Sequence, residues 1–300
     1  LVNKKINVHI YHKKESNNLT SNRTIGISKN NLEFLKKNIF LFLKKNIWEI
    51  KKIEIFEKKL INNRILNFEN NKNSLFYMIK NDELYNLLNN ELLKNKFFKK
   101  RIIKKIFFEK LLEKNNYDLI INCDQNNLLS KKYFIKKIDK DYNNLAYTTI
   151  LEHEKLENNT AIQVFTNSGP IAFLPISNTK TSVVCSLDIK NKKYNNNEVL
   201  ALINKHNSRL KIKKIFTLSS FKLNSSNARN YYYENILAFG DLVHRIHPLA
   251  GQGFNMTIRD IKILSKIIQK KIDLGMQLDA FVLKEFEEKI KNRNFIFSSG

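Results

Sequence analysis

The alternation of apolar and polar positions predicts that strands and helices alternate along this chain. Ile6–Tyr11 alternates with the period of a strand, and Tyr117–Cys123 indicates a buried strand that ends at Asp124. Apolar residues at helical spacing predict a long helix over Phe254–Lys271 and a last helix over Asp279–Arg293. This order of elements is typical of an α/β protein.

Further elements fill the space between these segments. The apolar patterns indicate strands over Ile47–Phe56, Arg64–Phe68, Phe76–Ile79, Arg101–Phe108, Ala161–Thr166, Ile171–Ile176, Thr181–Leu187, Ile212–Leu223 and Ile236–Phe239. They indicate helices over Asn30–Lys45 (capped by Ser28), Asp82–Lys94 and Asn197–His206. Helix-bearing segments interrupted by two strand-rich stretches predict an α/β nucleotide-binding domain with an inserted β-sheet.

The composition argues against nucleic-acid binding and a membrane-spanning helix, but it does not identify a function. The formal net charge is +25, but the lysines are spread over all 300 residues and mixed with many asparagines and isoleucines. Drift toward A/T-rich codons explains that pattern, and so does attraction to an acidic lipid surface. No zinc-finger, RNP or repeat pattern supports nucleic acid. No apolar run reaches the roughly 18 residues of a membrane-spanning helix.

The two cysteines and the ends of the chain add two further expectations. Cys123 and Cys185 show neither metal-ligand spacing nor a disulfide framework, so a reduced cytosolic compartment is expected. The sequence has no initiating Met and opens almost at once on a strand. We therefore expect it to be a fragment of a longer protein.

A cluster of glycines marks the segment in which chemistry is expected. Three of the seven glycines are Gly240, Gly251 and Gly253, and Pro248 lies between them. Glycine lets a backbone approach a flat ligand, and proline fixes the entry into a loop. The helix predicted from Phe254 points its N-terminus, with unpaired N–H groups and partial positive charge, at whatever lies before it. Such an end favours an anionic ligand.

Asp241 follows the short apolar strand predicted over Ile236–Phe239. A carboxylate in this position can accept hydrogen bonds from the hydroxyl groups of a sugar-like chain. A Gly-Asp turn that merely ends a strand is the alternative, and Asp241 by itself does not decide between them.

The whole segment Gly240–Asp260 resembles the signature of the ubiquinone-biosynthesis hydroxylases. These are class A flavoprotein monooxygenases with the p-hydroxybenzoate-hydroxylase fold. Their pattern is His-Pro-(Leu/Ile)-(Ala/Gly)-Gly-Gln-Gly-x-Asn-x-Gly-x-x-Asp. Every fixed position matches except one, because Thr257 stands where the family has glycine.

Three more segments are similar to the family in the same order along the chain. Arg23–Ser28 resembles a segment whose arginine lies near the cofactor. Tyr117–Asp124 resembles the strand that leads into an Asp-Gly motif, which contacts both FAD and the nicotinamide. Ser168–Pro175 is similar to a Gly-Pro motif in the substrate sheet. The resemblance therefore covers nearly the whole chain.

The resemblance implies a fold, a cofactor and a set of site residues. The fold is α/β, with a Rossmann-like FAD-binding domain whose N-terminal βαβ unit is incomplete and an inserted β-sheet substrate domain. The FAD-binding domain is expected over residues 1–46, 82–143 and 234–300, and the substrate domain over 47–81 and 144–233. The implied cofactor-binding residues are Arg23, Asp124, Gly240, Asp241, Pro248, Gly251, Gln252, Gly253, Phe254 and Asn255.

The implied activity is FAD-dependent hydroxylation of a prenylated phenol or benzoquinol during ubiquinone biosynthesis, with NAD(P)H and O₂. The expected partners are the hydrophobic substrate, the membrane surface and other ubiquinone-biosynthesis proteins, without nucleic acid. The expected location is the cytoplasm, with peripheral contact at the inner face of the membrane. No acid or base is required at the oxygen-transfer centre, so no catalytic residue is named, and no metal ligand is predicted.

Three departures from the family leave other functions open. The Gly-x-Gly-x-x-Gly that holds the FAD pyrophosphate is absent from this sequence. His12 stands where the family has an acidic residue for the adenosine ribose, and Gln125 replaces the glycine of the Asp-Gly motif. The alternatives are another class A flavin hydroxylase, acting on a different aromatic compound, and a truncated remnant without catalytic activity.

The histidines and the last two residues of the family signature were weighed separately. His244 and His247 are three residues apart, but a proline follows directly and no carboxylate partner is evident, so no metal pair is predicted. The resemblance implies that His247 is part of the loop and not a proton shuttle. Arg259 and Asp260 are interpreted as a surface pair within the helix, whereas the resemblance implies instead that Arg259 orients the loop or the helix.

Overall fold

A computed structural model of the chain describes residues 1–12, 23–39, 46–57, 64–70, 73–103, 117–245 and 252–299, the last six of these as backbone alone. The strands are β1 (Val8–His12), β2 (Thr24–Ser28), β3 (Trp48–Ile50), β4 (Lys52–Glu57), β5 (Arg64–Glu69), β6 (Phe76–Lys80), β7 (Phe98–Ile102), β8 (Ile120–Asn122), β9 (Lys137–His153), β10 (Thr160–Thr166), β11 (Gly169–Pro175), β12 (Lys180–Asp188), β13 (Ile212–Ile215), β14 (Ser219–Ala228), β15 (Tyr232–Tyr233), β16 (Ile236–Ala238) and β17 (His244–Arg245).

The helices complete this mixed α/β architecture. They are α1 (Lys29–Asn38), α2 (Asn81–Leu93), α3 (Leu128–Tyr133), α4 (Asn196–His206), α5 (Gln252–Asp273) and α6 (Ala280–Ser299), with short 3₁₀ helices at Val2–Lys4 and Gly240–Leu242. No helix of the described residues is both long and apolar enough to cross a membrane.

Most of the predicted elements are confirmed, with their ends moved by a few residues. The long helix predicted over Phe254–Lys271 is α5, and the last predicted helix is α6. The single strand predicted over Ile212–Leu223 is wrong, because it is divided into β13 and β14. Between them, the backbone of Phe216 is held by hydrogen bonds to Thr149 and Ile150.

Two predicted elements extend beyond the described residues. Ser28 occupies the N-cap position of α1 as predicted, but its side chain makes no capping hydrogen bond. The rest of that predicted helix, residues 40–45, lies outside the described residues. The strand predicted over Arg101–Phe108 begins earlier, at Phe98, and residues 104–108 lie outside the described part.

The chain forms two compact units. Unit 1 contains residues 1–17, 92–140 and 224–300, and unit 2 contains residues 18–91 and 141–223. Residues 18–46, 82–91, 141–143 and 224–233 lie in the unit opposite to the one expected from the sequence. The roles assigned to the two domains, FAD binding and substrate binding, stay predictions.

Unit 1 contains short parallel sheets, which are characteristic of nucleotide-binding folds. β1 pairs with β7 in parallel, and β8 pairs with β16 in parallel. β15 adds an antiparallel edge to β16. The core packs around Leu237, Phe239, Leu264 and Phe286, all buried, so β16 and the helices α5 and α6 share one apolar interior. This interior fixes the strand that leads into Gly240.

Unit 2 is dominated by β-structure. Its large sheet has the order β9-β12-β11-β10-β4-β5, and β13 adds to β9. A second sheet has the order β2-β6-β3. Val183, Leu187 and Ile203 are fully buried, so the core lies between the large sheet and α4. A capping box formed by Asn195 and Glu198 starts that helix.

Candidate functional site

The ends of two neighbouring parallel strands bring two of the predicted carboxylates to one edge of unit 1. β8 and β16 run in parallel, with Asn122 opposite Ala238. The backbone N–H of Phe239 donates to the carbonyl of Asn122 over 2.9 Å, so pairing continues to the very end of both strands. Because carboxyl ends of parallel strands meet at the same edge, Asp124 and Asp241 both follow this edge.

Gln125 joins the two segments directly. Its side-chain Nε2 donates to the carbonyl oxygen of Asp241 over 2.5 Å. Burial of the thiol, together with the nearby Asp241 carboxylate, raises the pKa of Cys123 to about 11. The glutamine that replaces the family's glycine therefore gains a structural role in this chain.

A buried polar network shapes the turn that carries Asp124. The amide of Asn127 donates to Asn122 Oδ1 over 2.6 Å, and the amide of Asn122 donates to Ser130 Oγ over 2.8 Å. Asn127 also caps α3, because its Oδ1 accepts from the N–H of Ser130. The Ser130 hydroxyl in turn donates to the carbonyl of Asp124. The sequence reasoning missed this network, although an asparagine three residues before Ser130 is an N-cap signal.

Gly240 has the backbone geometry that its position requires. Its φ is +63°, in the left-handed region that favours glycine. A Cβ added to Gly240 would have no atom of the described residues within 4 Å, so among these residues the space beside this backbone is open. The adjacent Asp241 is exposed. An open backbone beside an exposed carboxylate suits the approach of a planar ligand with hydroxyl groups.

The N-terminus of α5 supplies the third part of the predicted site. α5 begins at Gln252, which is exposed, and Gly253, Phe254 and Asn255 are half-buried in its first turn. The helix packs against the 3₁₀ helix Gly240–Leu242. α5 therefore lies beside the 3₁₀ helix that contains the Gly240–Asp241 turn. Pro248 and Gly251 lie outside the described residues.

The structure corrects the interpretation of His244 and Asp260. No carboxylate partner for His244 was evident in the sequence, but its Nε2 lies 2.6 Å from Asp260 Oδ2. Their side chains are only 2% and 3% exposed, so the pair is buried. Asp260 is therefore not part of a surface pair. Arg259 Nε and Nη2 lie 3.0 and 2.8 Å from its other oxygen, Oδ1.

Thr257, the one departure within the signature, is accommodated in α5. Its hydroxyl donates to the carbonyl of Gly253, one helical turn earlier, over 3.2 Å. Such back-bonding satisfies a hydroxyl inside a helix at little cost. The substitution of the family's glycine therefore leaves the first turns of α5 helical.

Two of the resembling motifs lie in unit 2. Arg23 is exposed, and its guanidinium lies 4.9 Å from the centre of the Phe221 ring, a cation–π contact. Gly169 has a φ of +124°, and a Cβ there would lie 1.9 Å from the carbonyl oxygen of Ser186. The glycine of the Gly-Pro motif is thus required by the close approach of β11 and β12.

Comparison with known proteins gives the same assignment as the motifs. Residues 141–273 match the FAD binding domain family. The ubiquinone biosynthesis monooxygenase COQ6 of Dictyostelium discoideum is 27% identical over 227 residues, which are 59% of this chain and 46% of that protein. The 3-demethoxyubiquinol 3-hydroxylase of Escherichia coli K12 is 33% identical over 144 residues, which are 46% of this chain and 37% of that protein. The matched part thus spans less than half the length of these relatives.

Solved structures support the fold over the whole chain. The probable FAD-dependent monooxygenase PqsL of Pseudomonas aeruginosa aligns with a TM-score of 0.70 at 10% identity, covering 99% of this chain and 88% of that one. The 2-methyl-3-hydroxypyridine-5-carboxylic acid oxygenase aligns with a TM-score of 0.76 at 12% identity, covering 100% and 84%.

The domain match and the relatives agree with the resemblance that the motifs indicate. This chain is similar to the FAD-dependent hydroxylases of the ubiquinone-biosynthesis type.

Proposed function

We propose that this chain carries the flavin-facing part of an NAD(P)H-dependent aromatic-ring monooxygenase. The observation that carries the proposal is the meeting of Asp124, Gly240 and Asp241 at one sheet edge, with α5 packed against the 3₁₀ helix Gly240–Leu242. In open α/β sheets, ligands bind at the carboxyl ends of the strands. The arrangement therefore has the place and the chemistry of a cofactor site.

The described residues fit one part of FAD. The exposed Asp241 carboxylate can accept hydrogen bonds from ribityl hydroxyls, and the open space beside Gly240 allows a flat ring to approach. The positive end of α5 favours negative charge on a reduced ring. A glycine-rich pyrophosphate loop is absent from the sequence, so this chain supplies the ribityl and ring side of the site.

The protein's own task in such a reaction is positioning and exclusion of water. When bound, FAD supplies electron transfer from NAD(P)H and the activation of O₂. Gln125 holds the Gly240–Asp241 turn beside the end of β8, and the buried apolar core beneath it keeps the strand ends in place. Fixed geometry lowers the entropic cost of bringing a ring carbon to the reacting centre.

The substrate class is proposed from the relatives. COQ6 of Dictyostelium discoideum is a ubiquinone biosynthesis monooxygenase, and the Escherichia coli protein is a 3-demethoxyubiquinol 3-hydroxylase. We therefore propose a prenylated phenol or benzoquinol as substrate. Such a substrate resides in the membrane, and we propose peripheral contact with the membrane surface and with other ubiquinone-biosynthesis proteins. Part of the net charge of +25 would strengthen that contact with acidic lipid.

The test begins with FAD titration of the purified chain. Binding should produce a flavin absorption band near about 450 nm, which is a property of the cofactor. Asp241→Ala should weaken binding, because a ribityl-facing carboxylate is lost. Asp118→Ala is the matched control, since Asp118 is also exposed but precedes β8 at its opposite end. Equal FAD affinity in both variants would contradict the proposed site.

The second step separates the alternative functions. NADH or NADPH oxidation is followed in the presence of O₂ with a prenylated phenol and with a panel of soluble aromatic acids. Product formation from the prenylated phenol supports the proposal, and product from a soluble compound alone supports a different flavin hydroxylase. A chain that folds but never acquires the flavin band would be a remnant without this activity.

A further inference from the structure

The contact between His244 and Asp260 ties together two parts of the proposed site. His244 is the first residue of β17 and follows the Gly240–Asp241 turn by three positions. Asp260 is the ninth residue of α5, whose first turn is Gln252–Asn255. A single 2.6 Å contact between Nε2 and Oδ2 therefore sets the spacing between that turn and the start of α5.

Other contacts hold both His244 and Asp260 in place. The backbone of His244 is paired with Asn227 of β14, and the adjacent Val243 carbonyl accepts from the N–H of Ala228 over 2.7 Å. On the other side, Arg259 occupies Oδ1 of Asp260 and leaves Oδ2 for the imidazole. Because the backbone of His244 and the side chain of Asp260 are each held by other contacts, the bond between His244 and Asp260 keeps β17 and α5 at a fixed distance from each other.

The ring orientation of His244 depends on Asp260. Within the described part of the chain, Nδ1 of His244 has no hydrogen-bond partner, although the side chain is 2% exposed. A buried ring with one nitrogen unpartnered is costly, and the charge-assisted bond to Asp260 offsets that cost. Stability alone explains a buried histidine in this position poorly. An apolar side chain of similar shape would fill the same space without leaving a ring nitrogen unpartnered among the described residues.

We propose that His244 is a positioning residue for FAD binding. Through Asp260, it fixes the Gly240–Asp241 turn at the distance from α5 at which both reach the same ligand. This inference rests on the proposed function, because it concerns affinity for FAD. His244 itself is not assigned a contact with the cofactor or the substrate.

The experiment measures FAD affinity and folding stability for two substitutions at His244. His244→Ala removes the contact and should weaken FAD binding about tenfold or more, the effect of losing one charge-assisted bond. His244→Gln keeps an N–H donor close to the position of Nε2 and should restore most of the affinity. Asp260→Asn, which keeps the shape of the partner, should give an intermediate loss.

His153 provides the matched control. It is also 2% exposed, but it lies in unit 2 and bonds to the carbonyl of Glu154 and the hydroxyl of Thr181. His153→Ala should lower stability while leaving FAD affinity within about twofold. If His244→Ala binds FAD as tightly as the wild type, or loses affinity only in proportion to lost stability as His153→Ala does, the positioning role is wrong.

A second measurement needs no cofactor. Trypsin cleavage between Arg245 and Ile246 should be faster in His244→Ala than in the wild type and in His153→Ala. A wild-type chain that binds no FAD would refute the proposed function. A wild-type chain that binds FAD, with unchanged affinity and unchanged cleavage in His244→Ala, would refute the positioning role alone.

Discussion

His244 and His153 are equally buried, each with 2% of its surface exposed, yet the two residues are held in different ways. Both ring nitrogens of His153 have neutral partners close by in sequence or on the neighbouring strand β12. His244 instead faces a carboxylate sixteen positions away and leaves its other nitrogen unpartnered within the described residues. Burial alone therefore does not separate a histidine that completes a core from one that orients a site.

The surroundings of the two residues explain this difference. Asn158 donates to Thr181 Oγ1 over 2.9 Å and to the carbonyl of Ser177 over 2.8 Å, so the His153 network closes on itself. Such closed networks rigidify a fold and need no ligand. The His244 contact joins two residues that lie within the family signature, His244 of β17 and Asp260 of α5. The predictions below test whether that distinction holds.

The largest effect is expected for Asp260→Ala. Among the described residues, the substitution leaves both ring nitrogens of His244 buried without a partner, and it removes the carboxylate that Arg259 contacts. We expect a loss of about 3 kcal/mol in the free energy of unfolding, together with weakened FAD binding. Urea unfolding followed by circular dichroism measures the first, and FAD titration the second. If Asp260→Ala lowered the free energy of unfolding by less than about 1 kcal/mol, the pair would contribute no more than an ordinary surface ion pair, and the prediction would be wrong.

His153→Ala should have a smaller effect, confined to stability. It removes two neutral hydrogen bonds and leaves a small cavity, so we expect about 1–3 kcal/mol of destabilisation. Trp48, the only tryptophan, reports on this change because its Nε1 donates to the carbonyl of Asn158 over 2.6 Å. Urea unfolding followed by Trp48 fluorescence gives the measurement. If His153→Ala also lost FAD affinity, the proposed difference between His153 and His244 would be wrong.

Gly240→Ala should show the opposite pattern from His153→Ala, with a small loss of stability and a larger loss of FAD affinity. The added Cβ meets no atom of the described residues within 4 Å, but the φ of +63° is unfavourable for alanine by about 1 kcal/mol. Stability should fall by that amount only, whereas FAD affinity should fall further if the ring approaches this backbone. Chemical unfolding and FAD titration of the same preparation test the two effects. Gly275→Ala is the matched control, since its φ is +65° and the space around it is equally open.

The sequence predicted the local parts of this site better than the contacts between them. α5 was predicted because its apolar stripe repeats with helical spacing, and Asp241 because it follows a short buried strand. The partner of His244 could not be predicted, since a contact across sixteen positions depends on how β17 packs against α5. The break between β13 and β14 was missed because Phe216 continues the apolar pattern while its backbone bonds elsewhere.

Gln125 is a departure from the family pattern, because it replaces the glycine of the Asp-Gly motif. The structure gives it a compensating role, since its amide reaches the carbonyl of Asp241 and closes the gap between the ends of β8 and β16. The network of Asn122, Asn127 and Ser130 then holds the same turn from inside. Drift in sequence at this position is thus offset by a contact that the family pattern does not show.

The smallest effect is expected for Gln125→Gly, which restores the family's residue. Gln125 is half-buried and makes one neutral hydrogen bond, so stability should fall by only about 1 kcal/mol. FAD affinity should fall by about threefold or less, because β8 and β16 remain paired up to Asn122 and Ala238. Gln125→Glu is the matched comparison, since it keeps the length of the side chain but places a carboxylate against the Asp241 carbonyl. If Gln125→Gly instead binds FAD more tightly than the wild type, the glutamine obstructs the cofactor rather than holding the turn.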